Sequence, residues 1–309
     1  MYRLLGVLLT VLLLYGLIIT DERAQTLSYH SSLLGRLGFY GILTLGAGVL
    51  ILAGGIDLSI GSVVGLSAVL FGVLMSKKIA PLTALVVVLI MGMLIGLFHG
   101  LLVSGLKLQP FLVTLCGLFI YRGIARYISD RQQGIPEEAL WLKDLLVGGE
   151  GEGARNQVVI LLLLAGVIGL VLHFTTWGRY LYALGANEEA ARYAGVPTAR
   201  YKVLSYVLCS TLASLGGLLL LLEAGSVNPT SGGSLLELYA ITGAVLGGCS
   251  LRGGVGSVPG MILGAAVLPL IRNASSFREI DSNVEYAVIG GALLVGTIAD
   301  ELLKRRMKG

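Results

Sequence analysis

The sequence predicts an all-α membrane protein, a polytopic bundle of about ten transmembrane or re-entrant helices. Three observations carry this. The 309 residues are 55% hydrophobic and 13% charged, whereas ordinary soluble domains are roughly 25% charged. Apolar runs approaching the roughly 20 residues needed to cross hydrocarbon recur along the whole length. Polar stretches separate these runs, the most acidic at 130–156. A net charge of +4 on a chain of mean hydropathy +0.87 bears on membrane orientation and not on nucleic-acid binding.

In chain order, the run from Leu4 to Ile19 follows a single Arg3. A signal peptide would begin similarly, but no small-residue cleavage site follows in "TDERAQ", and many equally apolar segments come after it. It is therefore the first of the spans expected at 4–20, 37–53, 58–75, 81–103, 110–128, 157–174, 203–223, 238–249, 255–271 and 286–302. Segment 238–249 is short enough to be re-entrant. An even number of spans puts both termini on one side, and Lys304, Arg305, Arg306 and Lys308 after the last one assign that side to the cytoplasm. The 22 Lys and Arg residues nevertheless divide evenly between the two faces. The whole chain, 1–309, reads as a single transmembrane domain.

The most acidic stretch is segment 130–156, "DRQQGIPEEALWLKDLLVGGEGEGARN" from Asp130 onwards. Asp130, Glu137, Glu138, Asp144, Glu150 and Glu152 make it acidic and outward-facing, an extracytoplasmic loop. Acids contribute little to insertion, so they orient the chain only weakly. Its Gly/Glu-rich end reads as a flexible loop, and "PEEALWLKDLL" as a short amphipathic helix at the interface.

Catalytic chemistry is not indicated. Cys116, Cys209 and Cys249 lie in apolar surroundings without CxxC spacing and read as packed, reduced thiols. His30, His99 and His173 are too scattered for a metal cluster, so neither metal nor cofactor is expected. GxxxxGK[ST], HExxH and GxSxG are all absent. If ATP energises transport, another subunit must hydrolyse it.

Two Gly-rich stretches echo each other: "GGIDLSIGSV" (Gly54 to Val63) and "GGCSLRGGVGSV" (Gly247 to Val258). Each places a Gly pair at the end of one apolar run and Gly-Ser-Val at the start of the next. Gly-interrupted segments in two parts of a carrier point towards the solute route, so Gly54, Gly55, Asp57, Ser59, Gly247 and Gly248 are candidates for lining it. In the span order both copies run in one direction, so they do not amount to an inverted repeat. Asp57 is also expected to cap the next helix by accepting backbone N–H groups. A carboxylate near hydrocarbon must be paired or hydrated.

The stretch "GANEEAARYAGVP" (Gly185 to Pro197) has the grammar of a terminated polar helix lying between two spans. Asn187 suits the N-cap, Glu188 and Glu189 the positive first turn, and Arg192 the last. Gly195 suits the C′ position and Pro197 bars continuation. The expected helix is Glu188 to Ala194, within a cytoplasmic loop at 175–202. Too short to be stable alone, it is either an interfacial loop or a docking helix for a cytosolic protein. In the second case its small Ala191 face is expected to enter the partner's cleft.

"GRYLYALGANEEAARYAGV" is similar to the cytoplasmic coupling loop of permease subunits of bacterial sugar-importing ABC transporters, the group of ribose, xylose, galactose and autoinducer-2 permeases. "LAGGIDLSIGSVVGLSAV", "KLQPFLVTLCGLFIYRGIARYIS" and "GGCSLRGGVGSVPGMILGA" resemble further segments of that family in the same order. The likeness spans about residues 35 to 303 and departs at Cys116, Cys249 and the glutamate-rich loop. It implies an ABC importer permease in the bacterial inner membrane, with residues 175–202 and both termini cytoplasmic. The implied partners are a cytosolic ATP-binding subunit, a second permease copy or paralogue, an extracytoplasmic sugar-binding protein and membrane lipid. Coupling to the ATPase would fall to Gly185, Asn187, Glu188, Glu189, Ala191, Arg192 and Gly195. The alternatives are a nucleoside or branched-chain amino-acid permease, or an ion-coupled carrier using Asp57, His99 or Glu223.

Because the chain has no phosphate-cradling loop with its lysine, the purified chain alone is expected to bind no ATP. Calorimetry showing micromolar nucleotide binding to it would contradict the separate-ATPase reading.

Overall fold

A computed structural model describes residues 2–148 and 155–278, with isolated positions at 287, 290, 291 and 294. The expected span 286–302, the basic residues after it, and Glu150 and Glu152 otherwise lie outside the described residues. The helices are α1 (Tyr2–Ile19), α2 (Leu27–Leu52), α3 (Ile60–Ser76), α4 (Pro81–Gly105), α5 (Pro110–Ile128), α6 (Leu140–Leu146), α7 (Arg155–Phe174), α8 (Thr176–Ala186), α9 (Glu188–Tyr193), α10 (Thr198–Ala224), α11 (Leu236–Leu246) and α12 (Val258–Phe277). Six of them (α2, α4, α5, α7, α10 and α12) are long and apolar enough to cross a membrane, while α1, α3 and α11 are apolar but shorter. Every expected span that falls on described residues coincides with one of these nine.

Local chemistry sets the boundaries. Thr26 accepts the Tyr29 N–H at the start of α2, and Ser257 accepts the Gly260 N–H at the start of α12. Pro81 and Pro110 open α4 and α5, where the missing N–H has no helical partner in any case. Of the long helices, α2, α10 and α12 are mostly buried, whereas α4, α5 and α7 turn most of their surface outward. Helix α10 lies against α4, α3 and α2; α2 also meets α7, α11 and α12; α1 packs on α12.

In hydrocarbon, helices associate through close packing and internal hydrogen bonds. Both appear around α10. Ser67 of α3 donates to Ser214 of α10 at 3.0 Å, with both residues fully buried. Gly92, Gly96 and Gly100 form one ridge of α4 and bring its backbone onto α10. A Cβ at Gly100 would sit 2.7 Å from Val203 Cα, and one at Gly96 would overlap the Tyr206 carbonyl.

Helix α11 cannot span. Its 11 residues reach about 16 Å at a 1.5 Å rise per residue, about half of the ~30 Å hydrocarbon core. The chain reaches it as irregular backbone packed against α3: a Cβ at Gly233 would overlap the Gly61 carbonyl oxygen, and Arg122 of α5 donates to the Gly232 carbonyl. Non-helical backbone is tolerated at membrane depth only where protein covers it.

The acidic loop is partly ordered. Strand β1 (Gln133–Gly134) pairs antiparallel with β2 (Ser226–Val227) just beyond α10, a link with no signal in the sequence. The expected amphipathic helix forms as a 3-10 turn at Glu137–Ala139 followed by α6; Ala139 and Leu142 face inward while Trp141 and Leu145 face out. Its Gly/Glu-rich end falls at 149–154, outside the described residues. One thiol differs from expectation. Cys209 and Cys249 are buried, but Cys116 is exposed on α5, because α5 keeps most of its surface outward.

Gly96→Leu is expected to overpack the α4–α10 contact and cost about 1–3 kcal/mol, lowering the detergent melting midpoint. Gly166→Leu, where a Cβ meets nothing within 4 Å, should leave it near the parent value. Equal melting of the two variants would show that the ridge contact is not limiting.

Candidate functional site

Helix α9 forms as a capped unit. The Asn187 Oδ1 accepts the Ala190 N–H at 3.0 Å. At the other end the Gly195 N–H donates to the Arg192 carbonyl and the Val196 N–H to the Ala191 carbonyl, both at 3.0 Å. Gly195 has φ +84°, the left-handed geometry that lets the chain reverse at C′. The helix is Glu188–Tyr193, with Ala194 as its C-cap, one residue shorter than expected. Lys202 and Glu188 form a 2.6 Å ion pair that ties it to α10.

The facing of α9 corrects the sequence expectation. Ala191 is 5% exposed and points into its own chain beside buried Val196, so it seats the helix and does not present a docking surface. Glu189, Ala190, Arg192, Tyr193 and Ala194 face outward. Tyr193 is 84% exposed, with the Arg192 guanidinium 6.0 Å from its ring centre. A six-residue helix has no hydrophobic periodicity long enough to reveal its inner face, which is why the sequence misplaced it.

Gly185 lies elsewhere, in the last turn of α8. A Cβ there would overlap both the Leu52 carbonyl oxygen and the Gly254 nitrogen. Three backbones meet at this point, because the Gly254 N–H itself donates to the Leu52 carbonyl at 3.0 Å.

The two Gly-rich stretches are the same helix stop. After α2, the Gly54 N–H donates to Ile51 and the Gly55 N–H to Leu50, at 2.9 and 3.0 Å. After α11, the Gly248 N–H donates to Val245 and the Cys249 N–H to Ala244, both at 2.9 Å. Gly54 and Gly248 have φ +76° and +94°, the left-handed turn that closes orphan carbonyls at a helix end. The copies then diverge: the second, two residues longer, folds back through Gly253 and Gly254 onto the end of the first.

The first copy leads into a buried polar knot. Asp57 is 2% exposed, and its Oδ1 accepts the Ser59 N–H at 2.7 Å and the Ser59 hydroxyl at 2.6 Å. This corrects the capping expectation. The cap position of α3 is Ser59, and Asp57 closes the turn that precedes it. Asp57 Oδ2 has no hydrogen-bond partner, nor has His99 Nδ1, which lies 3.9 Å from it. His99 is 1% exposed, and its Nε2 is 2.9 Å from the Tyr121 hydroxyl. The Ile56 carbonyl accepts from Tyr206 at 3.4 Å and from Thr114 at 3.5 Å. Four segments, namely 53–59, α4, α5 and α10, converge here.

Among the route candidates, Gly54 is exposed and Gly248 half-buried, while Gly55, Asp57, Ser59 and Gly247 are buried. Of the acids and histidines an ion-coupled carrier would use, Asp57 and His99 come together. Glu223 does not: it sits near the end of α10, accepting from Gln157 at 2.9 Å. His99 carried one usable signal in the sequence, a titratable group inside an otherwise apolar span. Tyr121 and Tyr206 carried none. Among the described residues, no group of three or more His, Cys, Asp or Glu is gathered to hold a metal.

A family profile described as branched-chain amino acid transport system / permease component matches residues 29–297. The ribose import permease protein of Escherichia coli (strain K12) is 30% identical over 299 residues, covering 95% of this chain and 92% of the relative. An inner membrane ABC transporter permease protein of the same strain is 36% identical over 264 residues, 84% and 80% of the two chains. The fructose import permease protein of Rhizobium meliloti is 30% identical over 307 residues, 97% and 84%. No solved structure matches.

The Asp57 turn is testable by melting. Asp57→Ala strands two buried Ser59 donors and is expected to cost about 1–3 kcal/mol. Asp57→Asn keeps an Oδ1 acceptor and should lose less than half as much. A midpoint in detergent unchanged by either would remove the carboxylate from the support of this turn.

Proposed function

The chain belongs to the family described as branched-chain amino acid transport system / permease component, and from that premise we propose that it is the membrane permease subunit of an ATP-driven sugar importer. The observation that carries the mechanism is α9. A short polar helix, capped at both ends and ion-paired to α10, presents an exposed Tyr193–Arg192 face between two spans. Aromatic and Arg side chains are the usual anchors of a docking surface. A cytosolic ATP-binding subunit would grip this face, hydrolyse ATP, and drive the spans between states. The end of the bundle bearing α9 is then cytoplasmic, as are both termini, and the β1–β2 end receives solute from an extracytoplasmic binding protein. A second copy or paralogue would complete the route.

Sugar is favoured as the solute by the similarity to ribose and fructose import permeases over most of the chain. In this arrangement Asp57, Ser59, Gly55 and Gly247 shape the wall of the route from behind, and Gly54 and Gly248 reach nearer its surface. The buried Asp57–His99 pair gives an ion-coupled carrier its best argument, but that mechanism has no use for α9.

Tyr193→Ala is expected to reduce co-purification of the ATP-binding subunit about tenfold, the effect of losing roughly 1.4 kcal/mol, with membrane extraction unchanged. Uptake of ribose, fructose, leucine and adenosine should be compared in the same membranes. Co-purification unaffected by Tyr193→Ala would remove α9 from coupling, and uptake confined to leucine or adenosine would replace sugar as the solute.

A further inference from the structure

Gly185 stands two residues before the Asn187 cap of α9, and its surroundings tie the two Gly-rich helix stops to the docking helix. Helices α8 and α9 are separated only by Asn187, whose N–H closes α8 on the Ala183 carbonyl at 3.1 Å and whose side chain opens α9. Leu181 and Leu184 of α8 are buried, so the last turn of α8 and all of α9 form one packed body. At Gly185 that body meets the spans with no side chain between the backbones. A Cβ at Gly185 would overlap Leu52 O and Gly254 N; one at Gly253 would lie 2.6 Å from Gly185 O; one at Gly254 would lie 2.6 Å from Ala186 N. One turn earlier on α8, the Tyr182 hydroxyl donates to the Gly256 carbonyl at 2.9 Å.

We infer that this backbone contact, Gly185 against Gly253 and Gly254 closed on the Leu52 carbonyl, is the joint that passes displacement of α9 to both helix stops at once. Leu52 is the final residue of α2, and the Asp57 turn begins just beyond it. Gly253 and Gly254 follow the stop of α11 and lead into α12. A contact mediated by side chains absorbs a small shift by changing rotamers, whereas packed backbones must move together or separate. Gly185, Gly253 and Gly254 are thus positioning residues. They touch neither solute nor nucleotide and act by linking α9 to the turns that bound the route. The inference rests on α9 being the ATPase-docking helix.

The test uses the assembled complex of the full chain with its ATP-binding subunit and reads movement without needing the solute. Cys249 lies in the second stop and is buried. In a background of Cys116→Ser and Cys209→Ala, its labelling rate by a membrane-permeant maleimide is measured before and after trapping with ATP and vanadate. The parent background is expected to change rate at least fivefold on trapping. Gly185→Ala and Gly253→Asn are expected to abolish that change while co-purification of the ATP-binding subunit and ATP hydrolysis persist. Asn tolerates the left-handed φ of +87° at Gly253, so its added Cβ reports the contact and not the turn. Gly225→Asn, at φ +74° in open space, should behave as the parent background. The joint is overturned by a trapping-induced change that survives both substitutions or is absent from the parent background, and equally by loss of co-purification in both variants. Failure of the wild-type chain to bind an ATP-binding subunit at all would instead overturn the functional reading.

Discussion

Backbone that leaves helical geometry inside an apolar bundle must find hydrogen-bond partners within the protein, because hydrocarbon offers none. This constraint organises the molecule. The turn after α2 has its Leu52 carbonyl taken by the Gly254 N–H and its Ile56 carbonyl by Tyr206 and Thr114. The descent into α11 has its Gly232 carbonyl taken by Arg122. Each interruption is therefore pinned by a neighbouring span or turn, and the interruptions in turn fix where those neighbours sit. The close glycine contacts follow from the same need, since short hydrogen bonds between turns require backbones to approach without side chains between them.

The buried charges obey a related rule. A lone carboxylate at the position of Asp57 would cost several kcal/mol or more. One oxygen is satisfied by Ser59, and the other faces the free nitrogen of His99. At 3.9 Å the two atoms stand beyond the 2.7–3.2 Å of a good hydrogen bond. A small approach of the 53–59 segment towards α4 would close the gap. The polar knot and the glycine joint lie at opposite ends of one short segment, Leu52 at one end and Asp57 at the other.

Much of this was legible in the residues, and the division between what was and was not is physical. Span positions depend on local hydropathy, and the capped ends of α9 depend on Asn187 and Gly195 themselves; both were readable. Which way Ala191 faces depends on the floor beneath it, so it was not. Asp57 was expected to cap the next helix, but Ser59 holds the cap position and Asp57 closes the turn before it, because the register between them is set by packing. The meeting of Asp57 with His99, Tyr121 and Tyr206 joins four separate segments, a juxtaposition no single-sequence periodicity encodes. The echo between the two Gly-rich stretches was visible as a shared helix stop. That one copy folds back onto the other was not.

The tie between Lys202 and Glu188, together with the inward seat of Ala191, also governs how α9 can be recognised. A helix of this length has no stability of its own; its shape is supplied by α10 and by the chain under it. In the proposed docking, a partner would meet a preformed ridge, and little conformational entropy would remain to be lost when it closed on α9. The converse holds for the segment in isolation. A peptide cut out at 185–197 keeps the Asn187 cap and Tyr193 but loses Lys202 and the floor under Ala191, so it carries the letters of the proposed docking surface without the form in which they would be read.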